Sequence, residues 1–330
     1  MHDANRKDFH RGSTLRRIYS SLRRGCLLLT LAKDMALIFP LCFTERYMGF
    51  IWSALDESSD RLQRKVYVVA GYLARQAAWT EIERQWTLRL ERECDPEPMK
   101  YFSSSECMHL TGEFRRFRKY PKPKGREAAN AVREDLHQIL RSANAMGFAL
   151  GINLKDYRAM RKSSRARQAL GPNLYEQTYV TMFICIAGDC EDQMKGRANV
   201  ETVAFLCDEH QRSINVKDIY DKLKENNPNC APWMGSLSYM DNEKSPALQA
   251  GDLLASRSKE FLIECIDKSD DPTRIARWKP ILGKNVGIRC MDKRSLQMTV
   301  DANLPKKKGK LSIYSTQQLG IFRDLISTDD

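Results

Sequence analysis

Three acidic positions, far apart in the chain, have surroundings that suit metal-ion chemistry. Asp56 and Glu57 follow the apolar run FIWSAL, and Asp208 follows the apolar run VAFLC. Asp252 lies within SPALQAGDLLAS, residues 245–256, whose other residues are mostly the small and apolar ones of a buried helix. A lone ionised carboxylate in a dry core is costly, and three converging carboxylates repel one another. A divalent cation bound between the three groups removes both costs.

The ligand type indicates which metal ion fits this set. Carboxylate oxygens favour Mg²⁺ or Mn²⁺ over zinc, so Asp56, Asp208 and Asp252 are predicted to be metal ligands. Glu57 is predicted to complete the shell or to position water. A site of this kind can activate water and stabilise the leaving oxygen in phosphodiester cleavage. Each acid taken alone also fits a helix cap, a turn or the solvent side of a helix, and these alternatives stay open.

A histidine is the second candidate for chemistry. His109 lies in FSSSECMHLTGEF, residues 102–114, and on a helix it would share a face with Glu113. It could act as a general acid, a phosphate contact or a metal ligand, or form a structural hydrogen bond. A rival zinc site would combine His109, Asp208 and His210, since residues two apart on a strand face the same side. The rival site would leave the other carboxylates unexplained.

Strands and helices must position these residues, and the hydrophobic periodicity predicts both. Strands are expected at 47–58, 64–74, 148–154, 199–210 and 234–241, with weaker signals at 285–291 and 295–300. Helices are expected at 76–93, 126–147, 173–188, 213–227 and from 245, and residues 155–168 fit an exposed loop or a helix. This mixture predicts an α/β fold with a central sheet. Functional sites in open sheets form beyond the carboxyl ends of the strands, where Asp56 and Asp208 are expected.

Four segments in this order resemble the DUF3800 family of uncharacterised proteins. They are LDES, KVYVVAG, FLCDEH and EKSPALQAGDLLA, and the resemblance spans roughly residues 48–265. The last segment, with its SxxLQxxDLLA pattern, is the most specific. The resemblance implies a ribonuclease H-like fold with a mixed central sheet flanked by helices. It also implies that the acidic positions of the family correspond to Asp56, Asp208 and Asp252, with Glu57 as a candidate fourth. Ser59 stands where the family usually has glycine, a departure that removes no carboxylate.

The charge balance bears on the partner. The chain has 330 residues, with 54 lysines and arginines against 42 acidic residues, and a formal net charge of +12. This excess favours a polyanion such as RNA or DNA, although a basic solvated surface fits equally well. Basic segments lie at 115–126, 155–168 and 305–310, and the first interleaves aromatic and basic residues as single-strand binders do. The sequence has no P-loop, no GxGxxG before a helix and no GxSxG.

The chain is expected to divide into three regions. Residues 1–47 form an N-terminal extension, whose apolar stretch carries Lys33-Asp34 and Pro40 and falls short of the ~20 apolar residues of a membrane span. A natural start at Met48 is the preferred interpretation of this extension, and a membrane-associated helix is the alternative. Residues 48–275 form the ribonuclease H-like domain, and 276–330 form a C-terminal extension. Ten cysteines without a CxxC pair favour thiols in a reducing cytoplasm.

The pattern as a whole predicts a divalent-metal-dependent nuclease or phosphodiesterase. Its predicted catalytic residues are Asp56, Glu57, Asp208, Asp252 and His109. Two alternatives belong to other classes: a non-catalytic nucleic-acid-binding accessory protein of a defence system or mobile element, and a zinc-dependent hydrolase of small molecules.

Overall fold

The computed structural model describes most of the chain from residue 51 onward. The described residues are 51–59, 64–94, 96–171, 174–194, 202–209, 213–267, 273–283, 285–303 and 323–324. The predicted N-terminal extension and the basic segment 305–310 lie outside these residues.

In the part of the chain that the structure describes, seven strands form one mixed sheet. They are β1 Ile51–Ser59, β2 Val66–Arg75, β3 Ala145–Asn153, β4 Val203–Asp208, β5 Met234–Met240, β6 Val286–Met291 and the two-residue β7 Arg323–Asp324. Their order in the sheet is β5-β4-β1-β2-β3-β6-β7. Strands β1, β2 and β3 pair antiparallel in sequence order, while β4 runs parallel to β1 and β5 runs parallel to β4. This mixed sheet, flanked by helices, confirms the predicted ribonuclease H-like α/β fold class.

Helices cover both faces of the sheet. They are α1 Gln76–Glu91, α2 Ser104–His109, α3 Lys122–Ser142, α4 Leu154–Met160, α5 Ser164–Ala169, α6 Leu174–Met194, α7 Ser213–Asn226, α8 Pro246–Asp267, α9 Arg274–Leu282 and α10 Lys293–Asn303. The described residues also include 3₁₀ segments at Gly112–Lys119, between α2 and α3, and at Ala231–Trp233 and Asn242–Lys244, on either side of β5. Helices α1, α2, α3, α8 and α9 bury apolar residues on one face of the sheet, and α4, α5, α6, α7 and α10 bury theirs on the other.

Helix α1 shows how the sequence pattern leads to the packing. Trp79, Ile82, Trp86 and Leu90 recur at helical spacing and are all buried, as the periodicity predicted. Helix α1 therefore lies on the same face of the sheet as α8, and these two helices border the region around Asp252.

The strand predicted at 295–300 is wrong, because this segment belongs to α10. The Asp292 carboxylate accepts hydrogen bonds from the backbone N–H and the hydroxyl group of Ser295. Asp292 therefore caps the start of the helix. Leu296 and Val300, four residues apart, are buried on one side of α10. Leu296 and Val300 are also an even number of positions apart, with polar residues beside them. This spacing resembles that of a short strand as well.

The helix predicted at 126–147 begins and ends earlier than expected. Helix α3 starts at Lys122, with Pro123 in its first turn, where a missing backbone N–H leaves no hydrogen bond unmade. The helix ends at Ser142, and Gly147 lies inside β3 instead of at a helix end. The Pro-Lys-Pro-Lys-Gly segment is thus largely a helix start.

The predicted boundary at residue 275 does not separate two structural units. Strand β6 pairs parallel with β3 and extends the same sheet, and α10 packs against α4 and α5. Residues 276–303 are therefore part of the domain. Among the described residues, no helix is both long and apolar enough to cross a membrane.

The start of α8 is fixed by two polar side chains. The Ser245 hydroxyl accepts a hydrogen bond from Leu248 N at 3.2 Å, and Pro246 occupies the first helical position. The buried Gln249 amide oxygen accepts from Trp86 Nε1 at 2.9 Å and from Phe102 N at 3.0 Å. Its amide nitrogen donates to the backbone oxygen of Asn242 at 3.0 Å. Gln249 therefore ties α8 to α1, to the segment before α2 and to the end of β5.

We expect Gln249→Leu to destabilise the protein, because leucine leaves these buried partners without hydrogen bonds. The expected loss in the free energy of unfolding is about 3 kcal/mol. Gln85→Leu is the matched control, since the Gln85 amide group bonds the exposed Glu81 on the surface of α1. This control should change the free energy by less than ~1 kcal/mol in urea denaturation. Equal losses in the two variants would contradict the tethering role of Gln249.

Candidate functional site

Asp56 and Asp208 lie side by side on two parallel strands, where the pairing of β1 with β4 ends. Strand β4 ends at Asp208, while β1 continues to Ser59. Leu55 pairs with Cys207 in the β1–β4 register, so the next position brings Asp56 beside Asp208. Strands alternate their side chains between faces, and Ala54 and Leu206 belong to the apolar cluster on the α8 side. Asp56 and Asp208 each follow two residues later and project toward the same side.

Helix α8 brings the third carboxylate to the same place. A Cβ atom on Gly251 would lie 3.3 Å from both Ala54 O and Asp56 N, so the helix touches the β1 backbone here. Asp252 follows directly on the helix. Its carboxylate accepts a hydrogen bond from Ser104 N, at the start of α2, at 2.6 Å. The structure thus brings together Asp56, Asp208 and Asp252, three residues separated by up to 196 positions in the chain.

Burial and mutual repulsion raise the pKa values of this cluster. Burial, followed by the charges of Asp252 and Asp208, raises the pKa of Asp56 well above its usual range. Burial raises the pKa of Asp252 to about 6, although the Ser104 N–H and Lys259 oppose the rise and Asp208 adds to it. The three groups therefore interact electrostatically, and the cluster disfavours the fully ionised state in the absence of a counter-charge.

Two further polar groups at the cluster were missed by the sequence analysis. Asn242 Nδ2 donates to Asp56 Oδ2 at 3.4 Å, while the buried Asn242 Oδ1 has no hydrogen-bond partner. The Ser104 hydroxyl, which also lowers the pKa of Asp252, makes no hydrogen bond of ordinary geometry. The pattern Ser103-x-x-Glu106 does predict a helix start, and Ser103 Oγ accepts from Glu106 N at 3.4 Å. Nothing local to either segment predicts contact with Asp56 or Asp252.

Glu57 does not share the site with the three aspartates. Its side chain projects from the opposite face of β1, beside Leu55 of the other apolar cluster. The Tyr67 hydroxyl donates to Glu57 Oε2 at 3.1 Å and the Tyr179 hydroxyl donates at 3.5 Å. The strand alternation that joins Asp56 to Asp208 therefore corrects the expectation that Glu57 completes the metal shell.

His109 is also placed away from the carboxylates. It is exposed at the last position of α2, about 7.5 Å along the helix axis from Ser104, whose N–H binds Asp252. Leu110 adopts a left-handed conformation with φ of 51° and ends the helix. The expectation that His109 and Glu113 share one helix face is therefore wrong. His210, the other histidine of the rival zinc site, lies outside the described residues.

The side chains of the cluster are not arranged as a preformed metal cage. Among the residues that the structure describes, no group of three or more His, Cys, Asp or Glu side chains has the arrangement needed to hold a metal ion. The possible ligand atoms at the cluster are nevertheless oxygens, from the three carboxylates, the Asn242 amide and the Ser104 hydroxyl, although Asn242 turns its Nδ2 toward Asp56. This donor set suits hard divalent cations rather than zinc.

Comparison with known proteins adds no relative. No protein-family model matches the chain, and no curated protein or solved structure matches it.

We expect Asp252→Asn to stabilise the metal-free protein at high pH. Because the folded-state pKa of about 6 lies above the ordinary 3.8, the folded protein holds the proton more tightly than the unfolded chain. Wild type should therefore lose stability as the pH rises from about 4 through 6. The amide removes this loss and should raise the free energy of unfolding at pH 8 by about 2–3 kcal/mol.

Urea denaturation in the presence of a chelator, at pH 4 and at pH 8, measures this effect. Asp221→Asn is the control, because Asp221 belongs to a solvent-exposed pair with Lys217 on α7. It should change the free energy of unfolding by less than ~1 kcal/mol at either pH. If Asp252→Asn were as destabilising at pH 8 as at pH 4, the carboxyl group would not be strained by burial.

Proposed function

We propose that this protein is a divalent-metal-dependent nuclease or phosphodiesterase. The observation that carries the proposal is the convergence of Asp56, Asp208 and Asp252 where the pairing of β1 with β4 ends. Buried carboxylates without a counter-charge are costly, so a fold that gathers three of them needs a compensating cation or a proton.

Mg²⁺ or Mn²⁺ is the metal that these residues would hold. Asp56, Asp208 and Asp252 would be the ligands, and Asn242 Oδ1 and Ser104 Oγ are further oxygens beside them that lack hydrogen-bond partners. A bound divalent ion supplies an activated water at neutral pH and charge stabilisation for a leaving oxygen. The backbone N–H of Ser104 binds Oδ2 of Asp252. The other carboxylate oxygen, Oδ1, is outside this hydrogen bond and would be the one to bind the ion.

A polyanionic substrate is supported by exposed basic residues near α2. They are Arg115, Arg118, Lys119, Lys122 and Lys124, in the 3₁₀ segment Gly112–Lys119 and the start of α3. Arg118 donates to the backbone oxygen of His109 at 3.3 Å, which links this segment to the end of α2. Lysine and arginine side chains in such a row can neutralise backbone phosphates.

The aromatic residues of the same segment were expected to stack on bases, but two of them pack in the core instead. Phe114 and Phe117 are buried in the core, with ring centroids 5.8 Å apart, and they are not available for stacking on bases. Tyr120 is 44% exposed. The basic side chains of the segment therefore carry its proposed contact with nucleic acid.

A cytoplasmic location is part of the proposal. Seven described cysteines are thiols, five of them buried. Burial raises the pKa of the Cys107 thiol to about 11, which keeps it protonated and unreactive. Inert, buried thiols suit a reducing compartment.

Nuclease activity with RNA, DNA and hybrid substrates tests the proposed function. We expect cleavage to require Mg²⁺ or Mn²⁺ and to fall at least about 100-fold in Asp56→Asn, Asp208→Asn and Asp252→Asn. Glu57→Gln should retain most of the activity, because Glu57 lies on the other face of β1. His109→Ala should also retain it.

The assay separates the enzyme from a non-catalytic binding protein. A binding protein on the same fold would retain nucleic acid without metal, would lose affinity steeply with salt and would cleave none of the substrates. If Asp252→Asn and wild type cleaved a substrate equally well, the carboxylate mechanism would be wrong.

Metal affinity should depend on pH in a defined direction. Carboxyl groups must lose their protons to bind a cation, and Asp56 and Asp252 hold theirs unusually tightly. We therefore expect Mn²⁺ affinity to rise from pH 5 to pH 7, by about tenfold per pH unit for each proton displaced. Calorimetric titration in two buffers of different ionisation enthalpy counts the protons released. A pH-independent affinity would place the ion elsewhere.

A further inference from the structure

A cleft beside the carboxylate cluster is not used by the proposed chemistry. It has a volume of about 340 Å³ and lies between the start of α8, helix α1, the middle of β1 and the ends of β4 and β5. Ala54 and Leu206 line it, and each lies two residues before a site aspartate on the same strand face. Two strand residues span about 6.6 Å, so the cleft lies about that distance along the strands from Asp56 and Asp208, neither of which lines it.

The cleft has an apolar floor and a polar rim. Trp79, Leu206 and Ala54 are at most 5% exposed and form the floor. Gln76, Glu83 and Lys244 are exposed and lie around the opening. A flat apolar floor with a few polar groups at the edge is the usual arrangement of a small-molecule site.

The sheet beyond the cleft is open to solvent. On β5, Ser236, Ser238 and Met240 alternate with half-buried residues and are exposed on the same side as Asp208. Helix α8 packs mainly on β1 and β2 and leaves this side of β5 uncovered. A chain can therefore lie across β5 and reach both the cleft and the carboxylates.

We propose that the cleft holds one unpaired nucleobase of the nucleic acid, next to the phosphate at the carboxylate cluster. The volume suits a single base and its sugar, and the floor offers apolar surface for one base face. The floor and the aspartates are two strand residues apart, and the sugar of one nucleotide can bridge this distance. The rim groups can meet the hydrogen-bonding edge of the base.

A base within a duplex does not fit this arrangement. The buried floor lies below the level of the rim, so a base must leave its stack to reach it. The proposed site therefore selects single-stranded or locally opened nucleic acid. This inference rests on the proposed function for the phosphate position, and it adds the substrate class.

Binding of nucleotides by the full-length protein tests the inference without any cleavage. Calorimetry with Mg²⁺ present compares nucleoside 5′-monophosphates with ribose 5-phosphate, which has the same phosphate and sugar but no base. We expect the monophosphates to bind about tenfold tighter. Ala247→Leu, which adds a side chain to the cleft wall, should remove this difference and leave the affinity for ribose 5-phosphate unchanged.

Met240→Ser provides a second variant that does not disturb the core. Met240 is 42% exposed and lines the cleft, while Leu88, at 44% exposed, is an exposed apolar residue of α1 that does not line it. Met240→Ser should weaken the monophosphates several-fold, and the control Leu88→Ser should not. Equal binding of ribose 5-phosphate and the monophosphates by wild type would overturn the base site, as would equal effects of the two serine variants. Failure of the proposed function looks different: Mn²⁺ binding would survive in Asp252→Asn.

Discussion

The close approach of α8 to β1 at Gly251 is the contact on which the carboxylate site depends. A Cβ at this position would lie 3.3 Å from the β1 backbone, so even alanine would require the helix or the strand to shift by a few tenths of an ångström, and a larger side chain would require more. That shift would carry Asp252 away from Asp56 and Asp208. The same stretch of sequence also fixes where the helix begins, through Ser245, and what it is tied to, through Gln249. The eight residues from Ser245 to Asp252 therefore determine where α8 begins, which neighbours it is hydrogen-bonded to and how closely it approaches β1. The same residues include the carboxylate of the site.

This arrangement opposes stability. The raised pKa values of Asp56 and Asp252 mean that the folded state resists ionising both groups, a cost that the rest of the fold must offset. Large buried side chains on both sides of the sheet, such as Trp86 and Phe183, supply apolar burial. Strained polar clusters in otherwise consistent folds are typical of functional sites, where local stability is lost for the sake of chemistry.

The sequence predicted those parts of the site that depend on short-range patterns. Asp56 and Asp208 were predicted because each follows an apolar run, and the parallel pairing of the two strands brings them together. Glu57 could have been assigned to the other face from the same two-residue alternation. The contacts of Asn242 and Ser104 could not have been predicted, because they join segments 186 and 148 residues away from their partners. At 295–300 the pattern itself was ambiguous, since Leu296 and Val300 fit both periods, and only the capping by Asp292 favours the helix.

The site lies where the covered part of the sheet meets the open part, and this position accounts for its mixed character. Asp56 lies on the covered side beneath α8 and Asp252 lies on α8 itself, where low polarity would strengthen the attraction of the ionised carboxylates for the proposed cation. Asp208, by contrast, adjoins β5, whose serine-rich face is exposed. A fully buried cluster would exclude a polymeric substrate, and a fully exposed one would bind a cation weakly. The uneven coverage by α8 leaves the cluster with a dry side, which would suit the proposed ion, and an open side, which would suit the proposed phosphate chain.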